Sequence, residues 1–399
     1  MKSFIYPLLL ISSLTFGRGR RGKMQKILLV ASSLSVTSTL FKQVQLFFDT
    51  NLRAIDEVTA DDLRNCSLIV VDFAVGDGDH LTAFKKQLRE FPHVPRGGMI
   101  SLSNRKEIVQ AKALGLVHLW DRAGDIAHVI SAIRGLVGNY SVAEMSPDTP
   151  AATRTAVNSL CSTLDEVAVA AISGTPMPMK SAARSVHVLM SALQQDGIDA
   201  WLAAVQSHHS HTFCHSMMVT GFAVAFGQAL RLDPNQCAVL SLGALIHDLG
   251  KVRIPLAILD KPSRLTDEEY AEIKKHPLHA LEILKDHPEV PPGIAELAGK
   301  HHEYLDGTGY PMGLEEKDIN FLVRVLTICD IYAALTEQRS YKESYGPRQA
   351  FAIMMEMKGK LDMDLLAKFR PVIFNVDVGT LKRNRRGDFR TQPQGRLSA

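Results

Sequence analysis

The chain has 399 residues, enough for two domains, and its 46% apolar content can fill sizeable cores. Its net charge is only +3, which is too mild to predict a nucleic-acid groove, so we expect no nucleic-acid partner. The five cysteines are odd in number and scattered, which favours a reducing cytoplasm over a disulfide framework.

The first 23 residues hold a short apolar run followed by a basic cluster. The run at 4–16 is too short to span a bilayer and is interrupted by Pro7. No small-x-small cleavage site follows it, and the basic residues lie on the wrong side of the run for export. We therefore interpret residues 1–23 as a mis-assigned start or a disordered leader, and we predict no transmembrane span.

From Met24 onward, short apolar runs alternate with segments whose apolar residues recur at helical spacing. The apolar runs predict buried parallel strands at residues 27–30, 68–72, 99–102 and 117–120. The other segments predict helices at residues 37–48, 81–90, 105–114 and 126–137. This alternation predicts an α/β domain with a doubly wound parallel sheet over residues 24–138.

The predicted α/β domain resembles the receiver domain of response regulators, in which Asp72 would be the phosphoacceptor. The acidic pair that binds magnesium in that family is replaced by alanine and serine at 31–33. The lysine expected after the last strand is also replaced, in the stretch that ends at Arg122. Without the acidic pair, phosphorylation by the usual magnesium route is not expected. We interpret the domain as a degenerate receiver that docks a protein partner.

A segment of different composition follows this domain. It is rich in Ser, Thr, Ala and Pro, and the run at 145–150 breaks any periodicity. We predict an inter-domain linker at 139–180, in which residues 153–172 form a connecting helix.

Residues 181–375 are predicted to form an all-helical domain. The segment 212–230 is apolar nearly all round, so this helix is buried and the polar His215 within it needs a partner. A second apolar helix is predicted at 237–249, with Gly250 as its C-terminal stop.

Two more helices are predicted further along the chain. Thr266 is a candidate N-cap, with Glu269 three residues on, for a helix that carries His276. The helix predicted at 321–335 is mostly apolar and has one interior carboxylate, Asp330. A carboxylate in such a position is costly unless it binds a cation.

Seven residues of metal-ligand type recur along these helices, and ten of the fifteen histidines lie between positions 208 and 302. The seven are His215, His247, Asp248, His276, His301, His302 and Asp330. Imidazole nitrogens together with carboxylate oxygens suit first-row divalent ions such as iron, manganese, zinc or cobalt, and not calcium. A carboxylate next to a histidine can bridge two such ions, and two ions a few Å apart activate a water against a phosphodiester.

The residues around these ligands resemble a known family. His247-Asp248-Leu249-Gly250-Lys251 resembles the H-D-x-G-K core of the HD phosphohydrolase superfamily. Residues 301–311 are similar to the H-H-E-x-x-D-G-x-G-Y-P signature of its HD-GYP branch, and Asp330 begins a matching D-x-x-x-A-L. The resemblance covers about residues 185–370. It implies hydrolysis of the second messenger cyclic di-GMP on an all-helical domain with two or three divalent metal ions, iron or manganese.

The resemblance also implies roles for individual residues. Asp248 would bridge two ions, with His215, His247 and Asp330 on one side and His276, His301 and His302 on the other. The catalytic residues would be Asp248 and Lys251, with the ammonium of Lys251 near the phosphate. The candidate substrate-binding residues are Tyr310, Arg339, Lys342 and Asp306. Of these, Arg339 and Lys342 would hold phosphates, and Tyr310 would contact a guanine or serve only the conformation of its loop.

The number of ions stays open between two and three because of His211. Members of the family with a third ion have a glutamate four residues before the first histidine, and His211 stands there in this chain. On a helix it shares a face with His215. It could ligate an extra ion, form a hydrogen bond to a ligand, or be exposed.

Two other functions remain open from the sequence. One is an HD-type phosphohydrolase that acts on another nucleotide, and the other is a catalytically idle cyclic di-GMP signalling module. The products pGpG and GMP are not distinguished. Finally, residues 376–399 contain five arginines and few apolar residues, which predicts a basic disordered tail.

Overall fold

A computed structural model describes the chain at residues 26–32, 37–48, 50–72, 78–137, 145–206, 211–259, 261, 263–337 and 344–374. The predicted leader at 1–23 and the predicted basic tail at 376–399 lie outside these residues. Within them, an N-terminal parallel sheet with helices is followed by a helical region. None of the helices described has both the length and the apolar content to cross a lipid bilayer.

The N-terminal part is a five-stranded parallel sheet with the strand order β2-β1-β3-β4-β5. The strands are β1 (Lys26–Ala31), β2 (Thr50–Ala54), β3 (Cys66–Asp72), β4 (Arg96–Ile100) and β5 (His118–Asp121). The helices are α1 (Thr39–Val44), α2 (Ala60–Arg64), α3 (Gly78–Leu88), α4 (Arg105–Ala113) and α5 (Ile126–Val137). This order is that of flavodoxin-like doubly wound folds, so the predicted α/β architecture is confirmed, although β2 and α2 were not predicted.

Side chains of β1 alternate between two apolar cores, one on each face of the sheet. Leu28 and Val30 pack with α2, α3 and α4, whereas Ile27 and Leu29 pack with α1 and α5. A strand that is buried on both faces needs a continuous apolar run. That requirement explains why β1 and β3 could be predicted from the sequence.

Asp72 lies at the carboxyl end of β3, where doubly wound sheets hold their ligand crevice. Its Oδ1 accepts a hydrogen bond from Arg122 Nε at 2.8 Å, and its Oδ2 accepts one from the backbone N–H of Ser38 at 2.9 Å. Arg122 also donates from Nη1 to Glu107 Oε2 at 2.9 Å. Both oxygens of Asp72 are therefore engaged within the domain.

The helical region runs from residue 151 to residue 374. Its helices are α6 (Ala151–Ser173), α7 (Met179–Gln206), α8 (His211–Ala229), α9 (Pro234–Ile246), α10 (Leu256–Leu259), α11 (Asp267–Ile273), α12 (His276–Lys285), α13 (Pro292–Lys300), α14 (Phe321–Thr336), α15 (Pro347–Met355) and α16 (Met363–Phe374). Short 3-10 helices lie at Leu249–Arg253 and Glu316–Asp318. The all-helical prediction for this part of the chain is confirmed.

Helix α6 corresponds to the connecting helix predicted inside the linker, but it is more than a tether. Its buried residues, among them Leu160 and Leu164, belong to the same apolar core as the rest of the helical region. Near its C-terminus, Ile172 packs against the core of the N-terminal sheet. Asp165, almost fully buried, forms a 2.5 Å ion pair with Arg134 of α5. The helix therefore joins the two parts of the chain.

Two local predictions were wrong. Gly250 was predicted as the C-terminal stop of a helix at 237–249, yet α9 ends at Ile246 and Gly250 lies inside the 3-10 helix Leu249–Arg253. Its true requirement is space, because a Cβ there would lie 1.8 Å from the carbonyl oxygen of His276. His276 was predicted to lie on the helix capped by Thr266. That capping box is present, but α11 ends at Ile273, and His276 begins α12.

Aromatic packing sets the distance between the two helices that matter most for the site. Phe222 of α8 contacts Tyr332 of α14 edge-on, with ring centroids 5.0 Å apart, and Phe369 of α16 packs against both rings. Such pairs contribute about 0.5–1.5 kcal/mol beyond the burial of their area. They hold α8 against α14, the two helices that carry His215 and Asp330.

Candidate metal centre

The structure brings all seven predicted metal ligands together in two adjoining groups. One group is His215, His247 and Asp330, and the other is Asp248, His276, His301 and His302. Within each group the ligand atoms all lie within 4.8 Å of one another, and all seven residues are buried.

Most of these ligands lie at the ends of helices. His247 and Asp248 follow α9, His276 is the first residue of α12, and His301 and His302 follow α13. The other two, His215 and Asp330, lie inside α8 and α14, with His215 Nε2 at 3.0 Å from Asp330 Oδ1. At helix ends the regular backbone hydrogen bonds from residue i to residue i−4 stop. Side chains at the ends of separate helices can therefore converge on one point.

Three of the histidines are oriented in the same way by the backbone. Each donates from Nδ1 to the carbonyl oxygen three residues earlier: His247 to Ala244 at 2.8 Å, His276 to Ile273 at 2.8 Å and His301 to Ala298 at 2.9 Å. Because a carbonyl oxygen only accepts, the proton of each neutral ring must be on Nδ1. Each ring therefore turns the lone pair of Nε2 toward the centre, as a metal ligand would.

Asp248 lies between the two groups, and each of its oxygens faces one of them. Oδ2 is 3.4 Å from His247 Nε2 and 3.9 Å from His215 Nε2. Oδ1 is 3.3 Å from His276 Nε2. A carboxylate in this position can share one oxygen with each of two cations.

The contact between His276 and His301 needs a cation. Their Nε2 atoms are 3.2 Å apart, and because both rings carry the proton on Nδ1, two lone pairs face each other. Burial lowers the pKa of His301 to about 4 and that of His276 well below its ordinary value, so a proton is a poor occupant near neutral pH. A divalent ion satisfies both nitrogens.

Two further atoms indicate missing ligand contacts. Among the residues that the structure describes, His247 Nε2 and Asp248 Oδ1 are buried without a hydrogen-bond partner. Buried polar atoms left unpaired are costly, and metal coordination would satisfy them. The donor set, imidazole with carboxylate, therefore fits first-row divalent ions.

The charge states at the centre also suit metal binding. Burial lowers the pKa of His302, which stays neutral. Burial by itself would raise the pKa of Asp248, but Lys251 and His247 outweigh it and lower the pKa well below the ordinary value. Burial would also raise the pKa of Asp330, but the hydrogen bond from His215 and the charges of His302, His215 and His247 together lower it. Neutral imidazoles and ionised carboxylates are the forms that bind metals, and His215, whose Nε2 donates to Asp330, would release that proton when an ion binds.

Lys251 lies on the 3-10 helix that follows Asp248. Its Nζ donates to Asp248 Oδ2 at 2.6 Å, while about a quarter of its side chain, 26%, is exposed. This contact distinguishes Lys251 from a lysine at a helix end that is only solvated. The ammonium lies at the rim of the centre, paired to the central carboxylate and still open on one side.

Comparison with known families agrees with this geometry. Residues 200–365 match the HD domain family. This region is an HD domain. The resemblance to HD-GYP phosphodiesterases is thereby confirmed for this part of the chain, whereas the receiver-like identity of the N-terminal sheet is not.

Curated relatives align with the HD domain at moderate identity. The chain is 33% identical over 182 residues to a cyclic di-GMP phosphodiesterase of Pseudomonas aeruginosa, covering 46% of this chain and 44% of that protein. It is 34% identical over 161 residues to a 3'3'-cGAMP-specific phosphodiesterase of Vibrio cholerae, covering 40% and 34% respectively. It is also 34% identical over 136 residues to a cyclic di-GMP phosphodiesterase response regulator of Xanthomonas campestris, covering 34% and 36%. The chain thus spans less than half the length of these relatives.

Beside the metal ligands, the HD domain holds a loop that contains Tyr310. The Tyr310 ring packs against His302 at a tilt of 30°, with centroids 4.6 Å apart, and Lys274 Nζ lies 5.1 Å from the centre of the same ring. The peptide bond between Tyr310 and Pro311 is cis. The Tyr310 hydroxyl is buried, and no hydrogen-bond partner for it lies among the described residues. Burial raises the pKa of Tyr310 well above its ordinary value, so the hydroxyl keeps its proton.

Glu303 anchors this loop, a role that the sequence did not reveal. Its carboxylate is almost fully buried and accepts from the backbone N–H of Met312 at 2.6 Å and of Leu314 at 2.9 Å. Its position directly after His301 and His302 was the only signal. The loop is therefore tied to the residue that follows two metal-type histidines.

Glu337 is a second residue that sequence reasoning did not place at the site. The structure puts its Oε2 3.6 Å from His215 Nδ1. Burial by itself would lower the pKa of His215, yet the hydrogen bond with Asp330 and the nearby carboxylate of Glu337 together raise it to about 9.

Of the remaining predicted site residues, the structure describes the side chain of Asp306 alone. Asp306 is exposed, and its Oδ1 accepts from the backbone N–H and the hydroxyl of Thr308, so it shapes its own turn. Arg339 and Lys342 lie outside the described residues, as does the side chain of His211.

Proposed function

We propose that the HD domain hydrolyses cyclic di-GMP to pGpG, GMP or both, with divalent metal ions, iron or manganese, held by the seven buried ligands. The observation that carries the proposal is the pair of facing Nε2 lone pairs on His276 and His301, next to a carboxylate that faces both ligand groups. The names of the relatives supply the substrate class.

The two ligand groups support at least two ions. We propose that His215, His247 and Asp330 hold one ion, that His276, His301 and His302 hold the other, and that Asp248 bridges them. A third ion would need His211 or another residue as an additional ligand. When bound to these adjoining ligand groups, two ions would lower the pKa of a water and stabilise charge on the phosphoryl oxygens.

Lys251 would bind and stabilise the phosphate of the substrate. Lys251, paired with Asp248 Oδ2 and partly exposed, can offer its remaining N–H donors to a phosphate oxygen at the rim. An ammonium in this position offsets negative charge that develops in the transition state.

Substrate contacts would come from the Tyr310 loop and from the segment after α14. The buried, unsatisfied Tyr310 hydroxyl supports a polar contact with the substrate, and its ring offers a stacking face to a guanine. We propose that Arg339 and Lys342 hold the phosphates, as the family resemblance implies. Asp306 is engaged with Thr308, which supports a role in shaping the loop.

A second substrate has specific support. A relative of similar identity is named a 3'3'-cGAMP-specific phosphodiesterase, and that molecule shares the two phosphodiester bonds while replacing one guanine by adenine. The described residues hold no feature that discriminates the two bases. We therefore propose 3'3'-cGAMP as the alternative substrate to cyclic di-GMP. Both cyclic dinucleotides are assayed in the experiment that closes the Discussion.

We also propose that the N-terminal sheet is a degenerate receiver that regulates the HD domain by docking a protein partner. The contacts of Asp72 with Arg122 and Ser38 support a role without phosphotransfer, since both carboxylate oxygens are engaged. The ion pair between Arg134 and Asp165 supports mechanical coupling, because α6 also contacts the 3-10 helix that carries Lys251. A cytoplasmic location stays a prediction.

Alanine variants of two ligands test the proposal. His247→Ala and Asp248→Ala should each abolish hydrolysis of cyclic di-GMP and lower the bound metal, because both remove a ligand. His279→Ala is the matched control: it removes a histidine of α12 that faces Glu282 at 3.6 Å instead of the centre, and it should keep activity and metal. Product chromatography and elemental analysis of the same samples give the result. Full turnover and normal metal content in either ligand variant contradict the proposal.

A further inference from the structure

His215 is oriented differently from the other histidines of the centre. Three rings are fixed by the backbone carbonyls of residues three positions earlier in the chain. His215 lies inside α8, where the backbone carbonyls are used by the helix itself, and its Nδ1 faces the carboxylate of Glu337 from another helix instead.

Glu337 reaches His215 from the end of α14, the helix that also carries Asp330. Asp330 Oδ1 lies 3.0 Å from His215 Nε2, and Glu337 Oε2 lies 3.6 Å from His215 Nδ1. The two acids are seven residues apart, about two turns of a helix, so one helix brackets both nitrogens of the ring. The Glu337 side chain has 0% exposure, which leaves it no access to bulk solvent.

A buried carboxylate behind a metal-ligating imidazole has a known physical effect. It holds the proton on the far nitrogen, fixes the plane of the ring and raises the basicity of the nitrogen that faces the metal. Here that would keep the Nδ1 proton pointed at Glu337 and free the lone pair of His215 Nε2. The 3.6 Å separation exceeds a hydrogen bond, so a small rotation of the ring would close it.

We propose that Glu337 is a positioning residue for the metal centre, which acts by accepting the Nδ1 proton of His215 and thereby sets the metal affinity of that ligand group. The inference rests on the proposed metal-dependent function.

The test is an equilibrium titration of the metal-free full chain with Mn²⁺ alone, beside thermal melts of the same metal-free samples. Glu337→Ala should weaken Mn²⁺ binding by about 10- to 100-fold, the usual effect of losing such a partner. Glu337→Gln should recover part of the affinity, because its amide oxygen still accepts from Nδ1 but lacks the charge. Asp165→Asn, which removes a buried carboxylate from the ion pair with Arg134, is the control and should leave Mn²⁺ affinity unchanged.

A double variant separates action through His215 from direct contact with the ion. In the His215→Ala background, Glu337→Ala should cause no further loss of Mn²⁺ affinity. A further loss of tenfold or more would mean that Glu337 ligates the ion itself, which overturns the inference. Unchanged affinity in Glu337→Ala, with or without a lower melting temperature, overturns it too. If the wild-type chain binds no Mn²⁺, the proposed function fails instead, so the two failures are distinguishable.

Discussion

Glu303 provides a quantitative test of how the Tyr310 loop is held. Its two carboxylate oxygens accept backbone N–H groups from Met312 at 2.6 Å and Leu314 at 2.9 Å. Glu303→Gln keeps the size of the side chain but turns an NH₂ group toward one of those donors. One hydrogen bond to a charged group is lost, which costs about 1.5–3 kcal/mol, and the other weakens by about 1 kcal/mol as the charge disappears.

We therefore expect Glu303→Gln to lower the free energy of unfolding by about 3 kcal/mol. Bound metal should stay near the wild-type level, because Glu303 does not lie among the clustered ligands, whereas hydrolysis should fall as the Tyr310 loop loosens. Urea unfolding, elemental analysis and product chromatography of one preparation measure all three quantities.

Glu296→Gln is the matched control for Glu303→Gln. Glu296 lies on α13, is 34% exposed and pairs with Lys300 at 2.7 Å, so its replacement should change stability by at most about 0.5 kcal/mol. If the two glutamine variants unfold alike and turn over substrate alike, Glu303 does not anchor the loop and the reasoning is refuted.

Three other substitutions or treatments test separate parts of the molecule. Gly250→Ala should lower stability by about 3 kcal/mol or more and reduce bound metal, since its Cβ would meet the backbone at His276; a wild-type melt and metal content would contradict this. Acetyl phosphate should not label Asp72, whose Oδ1 is held by Arg122, and a phosphorylated peptide containing Asp72 in a mass spectrum would refute the degenerate-receiver interpretation. Arg339→Ala should weaken substrate binding roughly tenfold or more with unchanged metal, and Arg339→Lys should recover only part; equal affinities in titrations would remove it from the site.

The elements that the sequence predicted well are those whose burial forces a simple pattern. The strand β3 is buried on both faces and therefore apolar without interruption, and α14 is apolar around a single acid, Asp330. By contrast, every residue of β2 (Thr50–Ala54) is only partly buried, so the strand has no apolar run to reveal it. It is a strand because its backbone pairs with β1. That pairing does not depend on side-chain composition, so the sequence does not show it.

Close packing explains a second group of errors. The strand β4, predicted at 99–102, spans Arg96–Ile100, because Gly97 and Gly98 did not fit a strand pattern. A Cβ at Gly97 would lie 2.2 Å from the ring of Trp120, so the glycine is required by its neighbour on β5. Gly250 is the same case in the HD domain. Contacts between residues distant in sequence determine both positions.

The ligand residues could be named from their spacing, but their supporting residues could not. His247, His276 and His301 are fixed by backbone carbonyls, which every residue possesses and no sequence pattern displays. Glu337 faces His215 across 122 positions of sequence, so only the packing of α14 against α8 reveals the pair. The sequence therefore predicts which groups bind metal, and the fold shows what orients them.

The most direct test of the central claim is the metal content and turnover of one purified sample of the full chain. After loading with Mn²⁺ or Fe²⁺ and removal of excess metal, elemental analysis should find at least two ions per chain, held by the two ligand groups. The same sample should convert cyclic di-GMP, or 3'3'-cGAMP in a parallel assay, to linear products resolved by chromatography. A chain that retains two ions and leaves both cyclic dinucleotides intact, or one that hydrolyses them equally well after complete metal removal, would contradict the account.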